Sequence, residues 1–144
     1  MKKKAGLYQR DGLIIIFAEH RTATGLYLRA DPVTACAAHD MAAVETNLLA
    51  AFDAYQEQVP HPTSWSNRLL PVFKLAKVRS YKAFMQGALS LQADLDNGIV
   101  TLTPTRNGGP REGFYSLPDN ALTVNLAMES LGTGVLTAFA RCQS

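Results

Sequence analysis

Two cysteines, Cys36 and Cys142, are all that this 144-residue sequence contains. They share no CxxC spacing, and two thiols cannot build a disulfide framework. Under reducing conditions both read as small, partly buried apolar groups. The three histidines, His20, His39 and His61, have no i,i+4 partner among them and join no Cys/His cluster, so neither a metal nor a cofactor is expected. There is no G-x-S-x-G elbow and no P-loop; Gly108-Gly109 lacks the Lys-Ser/Thr that would make it a phosphate cradle. An excess of one charge is missing as well. Fourteen basic and twelve acidic residues leave a net charge of +2, which by itself calls for neither nucleic acid nor an anionic membrane as partner. No apolar run approaches the roughly 18 residues of a bilayer span. Lys2–Lys4 ahead of Leu13–Phe17 imitates a signal peptide, but Arg10 and Asp11 interrupt the pattern, and Glu19, His20 and Arg21 end the apolar run. The sequence thus reads as cytoplasmic, with Lys2–Lys4 a solvated tail.

What is present suits one globular domain over residues 1–144. Nearly half of the residues are apolar, too many for a disordered chain, and no repeat or linker divides them. Leu7–Gln9 and Leu13–His20 flank Arg10-Asp11-Gly12, and Asp-Gly between β-rich runs signals a hairpin. Gly25–Ala30 reads as a third strand, ended by Asp31-Pro32 because proline cannot donate to a ladder. Asp40 is a good N-cap for a helix spanning about 40–56, whose Met41, Val44, Leu48, Phe52 and Tyr55 recur at helical spacing before Pro60 stops it. Thr63–Asn67 is a polar loop carrying Trp65. Pro71 argues against a regular helix in Arg68–Val78, which reads as an irregular strand or strand pair. Ser80 caps a short helix near 81–86 that ends at Gly87. Ala88–Leu95 and Ile99–Thr105 form a second hairpin about Asn97-Gly98, with one face buried and the other wet. Asn107-Gly108-Gly109-Pro110 is expected to be a mobile loop, followed by strands at Gly113–Leu117 and Ala121–Leu126. A terminal helix over about 130–142 buries Leu131, Val135, Leu136, Phe139 and Cys142; Gly132 and Gly134 weaken it by about 1 kcal/mol each relative to alanine. The expected fold class is α+β: a mostly antiparallel sheet with two main helices and one short one.

No catalytic constellation emerges, so the chain is expected to be no enzyme. Asp94 with Asp96, or Glu112 with Asp119, are possible carboxylate pairs, but Asp94 and Asp96 flank a turn, where aspartate is expected anyway. A histidine, His39 or His61, brought beside Asp119 is the arrangement that an enzymatic reading would require. A nucleic-acid reading uses Arg68, Lys74, Lys77, Arg79, Lys82, Arg106 and Arg111, interleaved with Phe73, Tyr81 and Tyr115; the net charge gives it weak support. Groups suited to a protein interface remain. Trp, Tyr and Arg bury much area at low entropic cost, and Trp65, Arg106, Arg111 and Tyr115 are of that kind.

The C-terminal half carries a recognisable order of motifs. Ser80-Tyr81-Lys82-Ala83-Phe84 precedes Asn97-Gly98-Ile99-Val100-Thr101-Leu102-Thr103-Pro104-Thr105-Arg106-Asn107; Gly113-Phe114, Leu117-Pro118-Asp119 and the run Leu131–Cys142 follow. This order resembles the immunity proteins of contact-dependent growth inhibition systems, the CdiI family, over about residues 70–143. Tyr81 stands where that family more often has tryptophan. The resemblance implies a protein that binds a cognate toxin domain, frequently a nuclease, and neutralises it without turnover. Its partner would be that toxin domain, not nucleic acid or membrane, and it would be a monomer or weak dimer when free. Acidic side chains that imitate phosphate would then be Asp94, Asp96, Glu112 and Asp119. With Trp65, Arg106, Arg111 and Tyr115 they form the expected partner-binding set, chosen on residue type. The alternative is a small nucleic-acid-binding or regulatory domain using the basic–aromatic surface.

Overall fold

A computed structural model describes residues 2–62 and 69–144, so the expectations for Trp65 and Arg68 lie outside the described residues. The chain runs β1 (Lys3–Arg10), β2 (Leu13–Thr22), β3 (Tyr27–Ala37), α1 (Met41–Asp53), β4 (Gln56–Val59), α2 (Leu70–Ala76), α3 (Tyr81–Met85), β5 (Leu89–Asp96), β6 (Ile99–Asn107), β7 (Phe114–Ser116), a 3-10 turn at Pro118–Asn120, β8 (Leu122–Asn125) and α4 (Leu131–Ala140). The sheet order is β3-β2-β1-β5-β6-β7, antiparallel throughout this path. β8 shares the outer edge of β6 with β7, and β4 pairs parallel with the far end of β2. This is the expected α+β domain built on a mostly antiparallel sheet.

Both tight hairpins form where their turn residues demand it. Asp11 and Gly12 have φ of 51° and 74°, Asn97 and Gly98 of 51° and 78°, the paired positive values of a type I′ turn.

Strand alternation then sorts the apolar residues onto two faces. Ala5, Leu7, Ile14, Ile16, Leu91, Val100 and Leu102 meet α1 and α4 through Val44, Leu48, Phe52, Leu131, Val135 and Phe139. On the opposite face Tyr8, Ile15 and Phe17 meet α2 and α3 through Val72, Phe84 and Met85. The sheet is therefore roofed on both sides around β1 and β2, while the β5–β6 hairpin has the single buried face that its alternation predicts. Cys36 and Cys142 are both free and half-buried.

Several expectations are corrected. Residues 70–76 form a helix, not a strand: Pro71 occupies its first turn, where the missing N–H has no intrahelical partner to lose. β3 does not stop at Asp31-Pro32 but continues to Ala37, the ladder being interrupted by a register shift opposite Phe17 and Ala18 that takes up the proline. The first helix ends at Asp53, and residues 56–59 leave it to pair with β2. Lys3 and Lys4, read as a tail, open β1, where Lys3 pairs with Leu95 and Lys4 with Asp94. The loop after β6 is pinned rather than loose: Gly108 N donates to Gly113 O at 2.7 Å, Gly113 N to Gly109 O at 2.8 Å, and Asn107 Nδ2 to Met85 O and Ala88 O at 2.7 and 2.9 Å.

Candidate partner-binding surface

Two polar groupings stand out on the sheet. The first occupies the unroofed part of the α2–α3 face. Alternation places Lys4, Gly6 and Tyr8 of β1 on that face beside Glu19 of β2, Arg29 of β3 and Asp94 of β5. Lys4 Nζ donates to Asp94 Oδ1 at 3.2 Å and lies 5.2 Å from the centre of the Tyr27 ring. Arg29 Nε donates to the buried Tyr8 hydroxyl at 3.0 Å, its Nη2 donates to the same oxygen, and its guanidinium lies over the Tyr8 and Phe17 rings. Gly6 is required beneath that arrangement, since a Cβ there would fall 2.2 Å from the tip of the Phe17 ring.

Glu19 sits among these charges. Burial, the largest influence, pushes its carboxyl above the usual carboxylate range; Lys4 and Arg29 oppose the shift and Asp94 adds to it. A carboxyl whose folded pKa exceeds its unfolded value holds its proton more tightly in the fold, so stability falls as pH rises through the window between the two values. Glu19→Gln is therefore expected to stabilise the protein at neutral pH. The gain should vanish below the unfolded carboxylate pKa of about 4.3. Urea midpoints at neutral and acid pH check this; equal midpoints at neutral pH would refute it.

The second grouping lies on the β6–β7 edge. Arg106 and Tyr115 are direct cross-strand partners, and the Arg106 guanidinium stands 5.8 Å from the centre of the Tyr115 ring. The Tyr115 hydroxyl bonds the Glu112 side chain, which is the main cause of its raised pKa; burial and the Glu112 charge add to it and Arg106 opposes it. Loop composition makes this possible. A Cβ on Gly108 would lie 2.6 Å from Tyr115 Cε2, so only glycine lets the ring settle over the loop backbone. All three side chains are exposed.

Of the residues expected from sequence, the structure thus brings Arg106, Glu112 and Tyr115 together. Arg111 is exposed in the same loop. Asp94 is on the opposite sheet face from Arg106 by strand alternation and is paired with Lys4. Asp96 is exposed at the hairpin end and Asp119 in the 3-10 turn. Sequence reasoning missed Lys4, Glu19, Tyr27 and Arg29. The alternation of Lys4, Gly6 and Tyr8 was the available signal, hidden by treating the lysine run as a tail. His20 and His61 have local partners: Gln56 N donates to His20 Nδ1 at 3.2 Å, and His61 Nδ1 lies 2.9 Å from Thr24 Oγ1. Among the described residues, no three metal-ligating side chains cluster and no helix is long and apolar enough to cross a membrane.

The fold matches two solved structures over nearly its whole length. A protein of unknown function from Neisseria meningitidis superposes with a TM-score of 0.82 at 16% identity, covering 99% of this chain and 96% of that one. A CdiA-CT/CdiI toxin and immunity complex from Yersinia pseudotuberculosis gives a TM-score of 0.79 at 12% identity, covering 99% and 98%. At such identities the likeness speaks for the fold. A comparison with curated proteins returned no match. The family model for the CDI immunity protein, however, matches residues 48–142. The chain belongs to the CDI immunity protein family, the class of toxin-neutralising proteins that its C-terminal motifs resemble.

Proposed function

We propose that this protein binds one cognate toxin domain and blocks it by covering its active site or holding it inactive, with no turnover of its own. The family match over residues 48–142 carries the reading. The matched region includes β6, β7 and the loop between them, so the Arg106–Tyr115–Glu112 cluster belongs to the part of the chain that defines the family. We place partner contact there, with Arg111 beside it. A preformed Arg–Tyr pair suits that role, because side chains already in contact have less ordering to undergo on binding. The target class proposed is a nuclease, on the strength of the motif resemblance; the exposed carboxylates of Asp96 and Asp119 are available to a phosphate-binding surface, while Asp94 already spends its charge on Lys4.

The test is co-expression with the toxin domain encoded immediately upstream, scored for growth and co-purification. The wild-type chain should protect and co-purify. Arg106→Glu combined with Tyr115→Ala should weaken binding by about 100-fold, the scale of losing two hot-spot residues worth roughly 1–2 kcal/mol each. A toxin that still kills beside the wild-type chain, with no complex recovered, would end this reading.

A further inference from the structure

The net charge of +2 conceals a strong asymmetry. Residues 69–93 hold Lys74, Lys77, Arg79 and Lys82 and no acidic residue, so this stretch carries four positive charges; the rest of the chain, ten basic residues against twelve acidic, sums to −2. All four cations are on α2, α3 and their connection, all are exposed, and none is in an ion pair among the described residues. Helix dipoles account for two of them at most. Lys74 and Lys82 lie in the last turns of α2 and α3, where a cation is favoured. Lys77 and Arg79 lie outside both helices. Lys77 also adopts the left-handed backbone conformation with φ of 59°, where glycine would be the inexpensive residue.

This surface is firm, and the loop between β6 and β7 adjoins it. Val72, Phe84 and Met85 anchor α2 and α3 in the second core. Arg10 donates to the carbonyls of Ala83, Phe84 and Gln86, each at 3.2 Å, fastening the end of α3 to the first hairpin. The loop carrying Arg111 and Glu112 is tied to α3 by Asn107, and a Cβ on Gly113 would lie 3.6 Å from the Tyr81 hydroxyl. Lys74, Lys77, Arg79 and Lys82 thus form a cationic face beside the loop that carries Arg111, while Arg106 and Tyr115 leave the same edge from the other face of the sheet.

We infer that this face docks a carboxylate-rich surface of the partner protein and steers its approach to the β6–β7 edge. The inference rests on the proposed toxin-binding function and names the partner's chemistry. A protein occupant is favoured over nucleic acid because single strands are held by stacking on exposed aromatic rings. Phe73, the ring that the basic–aromatic pattern offered, is committed to the core 5.9 Å from Phe84, which leaves Tyr81 as the exposed ring on this side among the described residues. Fixed like charges facing a complementary surface act mainly on the association rate and lose force as salt rises.

Stopped-flow association with the toxin domain, from about 0.02 M to about 0.5 M salt, tests this. The wild-type rate constant should fall at least about tenfold across that range, as steered encounters do. The triple variant Lys74→Glu, Lys77→Glu and Lys82→Glu should associate at least about tenfold more slowly at low salt, with little salt dependence left. Lys77→Gly alone should raise the unfolding midpoint while slowing association, a combination that a purely structural role cannot produce. A folded triple variant that associates at the wild-type rate with the wild-type salt slope overturns the inference. So does a mixed-sequence oligonucleotide whose binding is abolished in the triple variant while toxin association is unchanged. A wild-type chain that fails to bind the toxin at all overturns the functional reading along with it, which keeps the two failures distinguishable.

Discussion

Gly132→Ala is expected to destabilise the fold by about 2 kcal/mol, although alanine is the better helix former by about 1 kcal/mol. The reason lies in the crossing of α1 and α4. A Cβ at position 132 would sit 2.4 Å from the Met41 carbonyl oxygen and 3.0 Å from Met41 Cβ. The nearest obstacle is backbone, which cannot step aside as a side-chain tip would. Relief requires α4 to move away from the start of α1, and the two helices are also joined there by Glu45, whose Oε1 accepts the Leu131 N–H at 2.8 Å and the Gly132 N–H at 3.4 Å. Overpacking of this kind typically costs 1–3 kcal/mol, and here a helix-capping contact is put at risk as well. Gly134 repeats the theme against the sheet, where a Cβ would fall 2.4 Å from Val124 Cγ2. The two glycines that weaken α4 in isolation are what allow it to lie close on both neighbours. Urea denaturation of Gly132→Ala checks this, with a lowered midpoint and an unchanged slope expected. A midpoint equal to or above that of wild type would show that the crossing has slack.

How much of this was legible in the sequence depended on the range of the interaction. Asp11-Gly12 and Asn97-Gly98 announced their hairpins because turn chemistry is local, and Asp40 and Ser80 each cap a helix where expected. Pro71 misled because its meaning depends on position: fatal inside a helix, harmless in the first turn. Residues 56–59 look like the tail of a helix, but they are held by β2, some thirty-five positions away, through His20 with Gln56 and Thr22 with Val59. Nothing local records that. The same division governs the surfaces. Arg106, Glu112 and Tyr115 were within reach of sequence reasoning because one short loop assembles them. Lys4, Glu19, Arg29 and Asp94 come from four strands, and only the register of the sheet makes them neighbours.

Charge shows a further limit of reading composition alone. A total of +2 argues against a strong field only if the charges are mixed over the surface. Here Lys4 and Asp94 neutralise each other on the sheet, whereas the cations of α2 and α3 face no acid in their own segment. The same total therefore describes a molecule with a cationic side and a mildly acidic remainder, which matters for an encounter with a partner in a way that the sum does not.

Phe84→Ala should have the largest effect of all, a loss of about 3–5 kcal/mol, the usual range for emptying a buried phenylalanine site. The ring is fully buried. It meets Tyr8 edge-on with centres 5.0 Å apart and lies 5.9 Å from Phe73, so its removal takes away two aromatic contacts along with the transferred area. α3 is only five residues long, too short to persist without its packing. Its remaining tie to the first hairpin, the hydrogen bonds from Arg10 to the Ala83, Phe84 and Gln86 carbonyls, depends on the helix holding its place. Phe73→Ala, at a half-buried site on the rim of the same cluster, should cost markedly less. Denaturant midpoints of the two variants provide the comparison. If Phe84→Ala lost under about 1 kcal/mol, well below the range for a filled core site, α2 and α3 would be a loose covering and no rigid platform for the cations above them. The stability of this small second core is thus what gives the cationic face a fixed shape before any partner arrives.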